Sequence, residues 1–188
     1  MIGKYKFPEV GVCGLSCRLC PGYVMKTKSR CRGCKTEWRL AGPCSLLHCA
    51  VKRKIEFCGN CEDSKTCEKW KRHREMGKQF DSFKCYQKLE EDIGFIQKYG
   101  LDKFREAQKI REKLLWEMLD EFNEGRSKSY YCLAATIFKT EEIEQALALA
   151  REKSAGLDLK AKAKLLHSFL DGIALKRNYC FKLRQKTN

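Results

Sequence analysis

Apolar residues recur every three or four positions through the second half of the chain, which is the spacing of one face of an α-helix. Leucine outnumbers isoleucine and valine together by 20 to 12, so we do not expect a large β-sheet. Gly100, Gly125 and Gly156 follow apolar stripes, and glycine is the residue at which helices commonly end. The predicted helices cover residues 84–99, 102–123, 130–138, 140 to about 155, and 158 to about 180. We expect these helices, which brief loops join, to pack as a small bundle.

The cysteines divide the chain into two unlike parts. Ten of the thirteen lie between Cys13 and Cys67, and this part is also the more basic one. Residues 1–84 carry 19 basic and 8 acidic side chains, whereas residues 85–188 carry 20 and 16. We predict a cysteine-rich metal-binding module over 1–84 and a helical region over 85–188. The predicted fold class is mainly α, with a module of short helices and turns packed on a C-terminal helical bundle.

Three C-x2-C pairs stand in the module, and this spacing lets two thiolates converge on one metal ion from a tight turn. The candidate metal ligands are Cys13, Cys17, Cys20, Cys31, Cys34, Cys44, Cys49, Cys58, Cys61 and Cys67. Disulfides are the alternative, but they require an oxidising compartment, and an odd total of thirteen would leave one thiol unpaired. The module is otherwise poor in large apolar side chains, so each structural zinc would contribute on the order of 10 kcal/mol to its folding.

Zinc is the expected metal, at about two ions per chain, because four thiolates complete one tetrahedral site. One consistent grouping has Cys17, Cys20, Cys31 and Cys34 in the first site and Cys44, Cys49, Cys58 and Cys61 in the second, with Cys13 and Cys67 as substitutes in either. The alternative is a [4Fe–4S] cluster at Cys13, Cys17 and Cys20, which have the spacing found in radical S-adenosylmethionine enzymes. Those enzymes are α/β barrels, and the helical pattern does not predict such a barrel. The alternative is therefore an iron–sulfur cluster held in a different fold.

The order of the cysteines resembles that of a known family. The chain reads C-G-L-S-C-R-L-C-P, then C-R-G-C, then C-S-L-L-H-C-A, then I-E-F-C-G-N-C-E. This order over roughly residues 11–70 is similar to a cysteine-rich prokaryotic family catalogued as domain of unknown function 3795. Lys65-Thr66 replaces the family's usual Phe-Pro, and the segment 125–132 resembles longer members of the family. The resemblance implies a metal-binding cysteine module and no established activity.

A net charge of +15 suggests a nucleic acid or an acidic protein as the partner. Two four-thiolate zinc sites would lower that charge to about +11, which is still basic. The candidate nucleic-acid contacts lie in two basic clusters and are Lys52, Arg53, Lys54, Lys71, Arg72 and Arg74. An aromatic side chain beside such cations can stack on an exposed base, and Trp38 and Trp70 have basic neighbours. The alternative is that these charges are simply solvated and that Trp70 belongs to the core.

A second candidate site is the run Arg126, Ser127, Lys128 and Ser129, which precedes a predicted helix. Free amide groups at a helix N-terminus and two cations would suit a small anion. The alternative is a glycine C-cap followed by a serine N-cap. Cys132 is interpreted either as a buried packing residue or as a thiol activated by the same helix end, and Cys85 and Cys180 as packing residues.

Signatures of enzymes and of export do not stand out in the sequence. We find no G-x4-G-K-[ST] or G-x-G-x-x-G motif and no linear Ser–His–Asp pattern, so the protein is expected to bind rather than catalyse. No apolar run approaches the roughly 18 residues that span a bilayer, and residues 1–12 do not have the pattern of a signal peptide. The sequence thus favours a cytoplasmic protein with no membrane partner.

Overall fold

The computed structural model describes residues 5–79, 81–179 and 181, without the side chains of 76–79 and 81–83. The described chain is mainly helical and contains one isolated antiparallel bridge, between Val10 and Ser16, in place of strands. The seven α-helices are α1 (Glu37–Leu40), α2 (Ser45–Arg53), α3 (Glu68–Gln79), α4 (Leu89–Phe122), α5 (Lys128–Ile137), α6 (Thr140–Lys153) and α7 (Leu159–Lys176). Four 3₁₀ segments accompany them, Cys17–Leu19, Cys58–Asn60, Glu62–Lys65 and Asp81–Lys88. The predicted fold class, mainly α with a small cysteine-rich N-terminal part, is confirmed.

The helix ends are set by local chemistry. Gly100 interrupts α4 with φ 84° and ψ 167°, a conformation that glycine adopts without strain. The Asp158 carboxylate caps α7 by accepting from the Ala161 amide at 2.7 Å. Thr140 is the first residue of α6, and Lys139 occupies the cap position. The Lys139 amide donates to the Glu142 carboxylate at 3.0 Å, which satisfies a donor that the helix leaves free.

Three predicted helix boundaries differ from the structure. The helix predicted from residue 84 begins as an α-helix at Leu89, because residues 81–88 form a 3₁₀ segment. The helix predicted from Tyr130 begins at Lys128, so Lys128 and Ser129 belong to its first turn. The last helix, predicted to run to about Cys180, ends at Lys176. Cys180 itself lies outside the described residues.

The molecule has two hydrophobic cores, and α4 contributes to both. The first core combines module residues with the N-terminal part of α4 and includes Phe7, Val10, Leu46, Phe57, Trp70, Leu89, Ile93, Ile96 and Phe104. The second combines the C-terminal part of α4 with α5, α6 and α7 and also takes in Leu19 and Val24 of the module. Residues 1–84 and 85–188 therefore share their cores, and the division of the chain at residue 84 stays a prediction.

Buried ion pairs hold the module on α4. Glu9 is buried, and its carboxylate lies 2.5 Å from Nε of Arg105 on α4. Arg18 also approaches Glu9, at 3.7 Å, and pairs with Glu112 of α4 at 2.5 Å. Within the module, the buried ammonium group of Lys35 donates to the carbonyl of Phe7 and pairs with Glu56. These pairs fix the orientation of the cysteine-bearing loops relative to the bundle, because removing one member would strand a buried charge.

A buried arginine of α4, Arg111, binds the C-terminal end of α5. Nη1 of Arg111 donates to the carbonyls of Ala135 at 2.8 Å and Phe138 at 2.5 Å, which lie at the C-terminal end of α5. These carbonyls have no partner within the helix, so the guanidinium satisfies them. Burial holds the pKa of Arg111 below its usual value, and Asp92 opposes this effect. None of the described helices is both long enough and apolar enough to cross a bilayer.

Candidate functional site

The first cysteine group comprises Cys17, Cys20, Cys31 and Cys34, which the structure brings together. The Cys34 amide donates to Sγ of Cys17 at 3.2 Å, and the Cys31 amide donates to the carbonyl of Gly22, two residues after Cys20. Gly33 has a φ of 113°, and this left-handed backbone allows the tight turn between Cys31 and Cys34. These four cysteines are the members of the first site grouped from the sequence.

Cys17 and Cys34 of the first group have pKa shifts of opposite direction, because their side chains share a hydrogen bond. The hydrogen bond between the two side chains raises the pKa of Cys17, to which burial and the Cys34 charge add. The same hydrogen bond lowers the pKa of Cys34 to about 7 against the effect of burial, and Arg39 and Lys35 lower it further. Arg39 also lies near the group, with Nη2 3.9 Å from Sγ of Cys31. The surroundings therefore favour a thiolate at Cys34.

The second cysteine group comprises Cys44, Cys49, Cys58, Cys61 and Cys67. Burial raises the pKa of Cys58 to about 12, and the charges of the other four add to this shift, so each of them lies within electrostatic range of Cys58. Cys44 precedes α2, Cys49 lies on α2, and Cys58 and Cys61 flank a 3₁₀ turn. Arg53 donates to Sγ of Cys61 at 3.5 Å, so this group, like the first, has a guanidinium beside a sulfur.

Cys13 lies within electrostatic range of members of both groups. Burial raises its pKa to about 12, with smaller effects from Cys34 of the first group and from Cys44 and Cys58 of the second. We assign Cys67, whose site the sequence left open, to the second group because its charge acts on Cys58. The local order of the cysteines could not reveal these positions, because they depend on how the loops fold back on α4.

The donor set is compatible with a thiophilic metal. None of the twelve described cysteines is in a disulfide, so each thiol remains available as a ligand. Within the described part of the chain, however, no three His, Cys, Asp or Glu side chains converge closely enough to hold an ion. Thiolates are the ligands of zinc and of iron–sulfur clusters, and the guanidinium groups of Arg39 and Arg53 would offset their charge.

A cavity of about 280 Å³ lies where the first group faces the helical region, and five cysteines line it. The cysteines are Cys17, Cys20, Cys34, Cys85 and Cys132. Burial raises the pKa of Cys85 to about 11 and that of Cys132 to about 12, and the charge of Cys20 contributes to both shifts. Cys85 and Cys132 are buried or half-buried as a packing role requires, but their place on this wall was missed by sequence reasoning. The resemblance of residues 125–132 to longer family members was the one available signal.

The structure divides the predicted anion site between two surfaces. Arg126 and Ser127 line a groove of about 580 Å³, together with Lys160 and Lys164 of α7. Ser129 lines the cysteine cavity instead, and Lys128 lines neither the groove nor that cavity. No sequence pattern indicated the two α7 lysines, because they lie more than thirty positions from Arg126.

A hydrogen-bond network forms part of this groove. The Ser127 hydroxyl donates to the Glu124 carboxylate at 2.5 Å, so the contact at 2.8 Å to Nε2 of His167 is one in which His167 donates. The His167 ring stacks on Tyr130 at 3.9 Å, and the Tyr130 hydroxyl donates to Asp171. Burial lowers the pKa of His167 against the charges of Asp171 and Glu124, which favours the neutral ring. Because Ser127 gives its proton to Glu124, His167 does not act as its base in this arrangement.

The basic clusters differ in how far their charges are already paired. Arg53 forms an ion pair with Asp63 at 2.5 Å, and Lys71 lies 4.0 Å from Glu68. Arg74 pairs with Glu90 and lies over the ring of Trp70 at 4.9 Å. The remaining three candidates, Lys52, Lys54 and Arg72, are exposed. Trp70 itself is buried in the first core, as the alternative interpretation expected.

Trp38 provides the exposed aromatic surface that Trp70 does not. It is 66% exposed, and the Arg39 guanidinium lies over its ring at 4.7 Å from the centroid. Four further cations, Lys26, Lys28, Arg30 and Arg32, are exposed on the preceding loop. We refer to residues 26–39, which comprise this loop and the first three residues of α1, as the basic loop. It carries Cys31 and Cys34 of the first group.

No curated protein and no solved structure matches the chain significantly. A family model matches its cysteine-rich part, from residue 9 to residue 72, which contains all ten candidate metal ligands. That family is described as Protein of unknown function (DUF3795), so the resemblance drawn from the cysteine order is confirmed over residues 9–72.

Proposed function

We propose that the chain is a metal-binding protein in which the two cysteine groups hold thiophilic metal centres and a basic surface meets a nucleic acid or an acidic protein. The observation that supports it is the clustering of nine cysteines in two groups, each with an arginine beside a sulfur. Zinc is the expected ion, since four thiolates complete its tetrahedral site. Such a closed site leaves no coordination position for a substrate.

The second group suits a structural zinc site. Its five sulfurs exceed the four that zinc needs, and they come from the loop before α2, from α2 and from the segment that leads to α3. A metal there would join elements that also meet in the first core through Leu46, Phe57 and Trp70. Its binding free energy would then count toward folding, on the order of 10 kcal/mol.

The basic loop is the part of the surface that best suits a nucleic acid. Trp38 offers a face on which a base can stack, and Arg39 remains beside it to add a cation–π contribution. The cations at 26–32 would meet phosphates. An acidic protein would use the same charges but would gain less from an exposed indole, and the predicted contacts Lys52, Lys54 and Arg72 would extend either interface.

Metal analysis of protein purified without oxygen tests the proposal. We expect bound zinc, and Cys49→Ser with Cys61→Ser should remove the metal of the second group alone. Ser64→Ala, next to Cys61 in the fold, is the matched control because it removes a hydroxyl and no sulfur. A chain that is folded and free of any metal would overturn the proposal.

A second candidate is an iron–sulfur protein. The sequence suggests a cluster at Cys13, Cys17 and Cys20, and the observation that favours a cluster is the thiol-lined cavity. Cys17 and Cys20 lie on its wall, whereas Cys13 is not among the residues that line it. A cluster in this cavity would occupy the first group and leave the second group to zinc.

A further inference from the structure

The thiol-lined cavity connects the module with the helical region. The module supplies Cys17, Cys20 and Cys34 to its wall, and the helical region supplies Cys85 and Cys132. Its volume of about 280 Å³ is several times the ~30 Å³ that a water molecule takes up in the liquid. An opening of this size among five sulfurs therefore has room for a bound group.

The size of the cavity suits a group larger than one ion. Zinc–sulfur bonds of about 2.3 Å bring the four sulfurs of a zinc site to within roughly 4 Å of one another. A centre with several metal atoms bridges thiolates that lie farther apart, and it fills the space between them.

The rest of the wall has the chemistry of a cluster site. Leu15, Leu19 and Leu133 line the cavity with apolar surface. Ser129 of α5 brings a hydroxyl group to the same wall, and the buried Lys84 brings a positive charge. The Thr136 hydroxyl also lies on this wall but donates to the carbonyl of Cys132. Hydrogen bonds to sulfur and nearby charge are the means by which proteins adjust an iron–sulfur cluster that thiolates ligate.

We infer that this cavity binds an iron–sulfur cluster, held jointly by cysteines of the module and by Cys85 and Cys132 of the helical region. The inference rests on the proposed function, because it specifies the metal centre of the first group. It replaces the three-cysteine set Cys13, Cys17 and Cys20 by one that no local motif contains. It also gives Cys85 and Cys132 a ligating role in place of a packing role.

The test is anaerobic reconstitution of the full chain with iron and sulfide, followed by iron and sulfide analysis and visible absorption. We expect about four of each per chain, as in a [4Fe–4S] cluster, and a broad visible band. Cys85→Ala with Cys132→Ala should lose the band and the bound iron. Thr136→Val is the matched control, because it alters the same wall of α5 without removing a sulfur and should keep the cluster.

Cys132→Ser serves as a second variant in case the double variant does not fold, and the far-ultraviolet helical signal shows which variants are folded. Full iron content in folded Cys132→Ser and in Cys85→Ala would overturn the inference, as would zinc as the sole metal of the reconstituted chain. Failure of the proposed function is a different result, in which the chain is folded without any metal. If Cys49→Ser with Cys61→Ser removes zinc while Cys85→Ala with Cys132→Ala changes nothing, the proposed function stands and the cluster does not.

Discussion

The amide of Cys34 and the sulfur of Cys17 form a hydrogen bond of 3.2 Å, which links two C-x2-C pairs that are separate in the sequence. The two side chains also share a hydrogen bond, and the result is a lowered pKa at Cys34 and a raised one at Cys17. A proton shared by neighbouring thiols leaves one of them a thiolate near neutral pH, which is the form that binds metals.

In the metal-free chain, Cys34 should therefore be alkylated fastest near neutral pH. The hydrogen bond with Cys17 lowers its pKa from an ordinary 9.0 to about 7, which favours the thiolate, and Cys34 is exposed. Cys85 is the internal control, because burial raises its pKa to about 11. Mass spectrometry after brief iodoacetamide treatment measures both rates, and Arg39→Ala should slow Cys34 by raising its pKa. Equal labelling of the two thiols at pH 7 would contradict this prediction.

Removing metal from the second group should unfold the module and spare much of the bundle. Cys49→Ser with Cys61→Ser deletes two of five sulfurs, and the lost binding free energy is on the order of 10 kcal/mol for a structural zinc. The second core contains few module residues, so α5, α6 and α7 should keep their helical signal. Hydrogen exchange resolves the two parts, and uniform protection in the double variant would refute the prediction. Ser64→Ala should match the unaltered chain.

Arg111→Met should destabilise the bundle by roughly 2–5 kcal/mol, because the carbonyls of Ala135 and Phe138 and the Asp92 carboxylate lose a buried partner. Urea unfolding measures the free energy. Lys103→Ala is the comparison on the same helix, since its exposed pair with Glu106 should be worth less than about 1 kcal/mol. Equal effects of the two variants would show that the guanidinium does not hold the end of α5.

Asp92 should make stability depend on pH in the direction opposite to most carboxylates. Burial raises its pKa from 3.8 to about 7, against the attraction of Lys88 and Arg111. A folded pKa above the unfolded one means that the contribution of Asp92 is largest at low pH and is lost as pH rises from about 4 to about 7. Asp92→Asn should remove this part of the pH dependence, measured as unfolding free energy between pH 5 and pH 8. An unchanged slope would be the contrary result.

Trp38→Ala should weaken binding of a single-stranded oligonucleotide if the basic loop is the interface. Stacking of one base is worth about 1–3 kcal/mol, which corresponds to a loss of roughly fivefold to 150-fold in affinity. Leu175→Ala, also at an exposed apolar residue, is the control that should bind normally. Binding should fall steeply with added salt in fluorescence titrations. No retention at ~50 mM salt would remove nucleic acid as the partner and leave an acidic protein.

The groove lined by Arg126, Lys160 and Lys164 is predicted to bind phosphate. Arg126→Ala with Lys164→Ala removes two of its three cations and should reduce phosphate affinity at least tenfold, since bonds to charged groups are worth about 1.5–3 kcal/mol each. Chemical-shift titration with inorganic phosphate measures the affinity. Lys103→Ala again provides a control outside the groove, and equal shifts in all three proteins would eliminate a specific anion site.

The sequence by itself determined the helical class, most helix ends and the set of metal-ligand candidates. Glycine at position 100 and aspartate at position 158 act within one turn of their own backbone, so a linear pattern reveals them. The cysteine order likewise identified the family over residues 9–72. Tertiary structure decided the rest, because it depends on packing between distant segments. That packing places Cys85 and Cys132 beside Cys20, and Lys164 beside Arg126. It also leaves Trp38 outside the core. Hydrophobic burial and the buried ion pairs on α4 set those distances, and neither leaves a short-range signal in the chain.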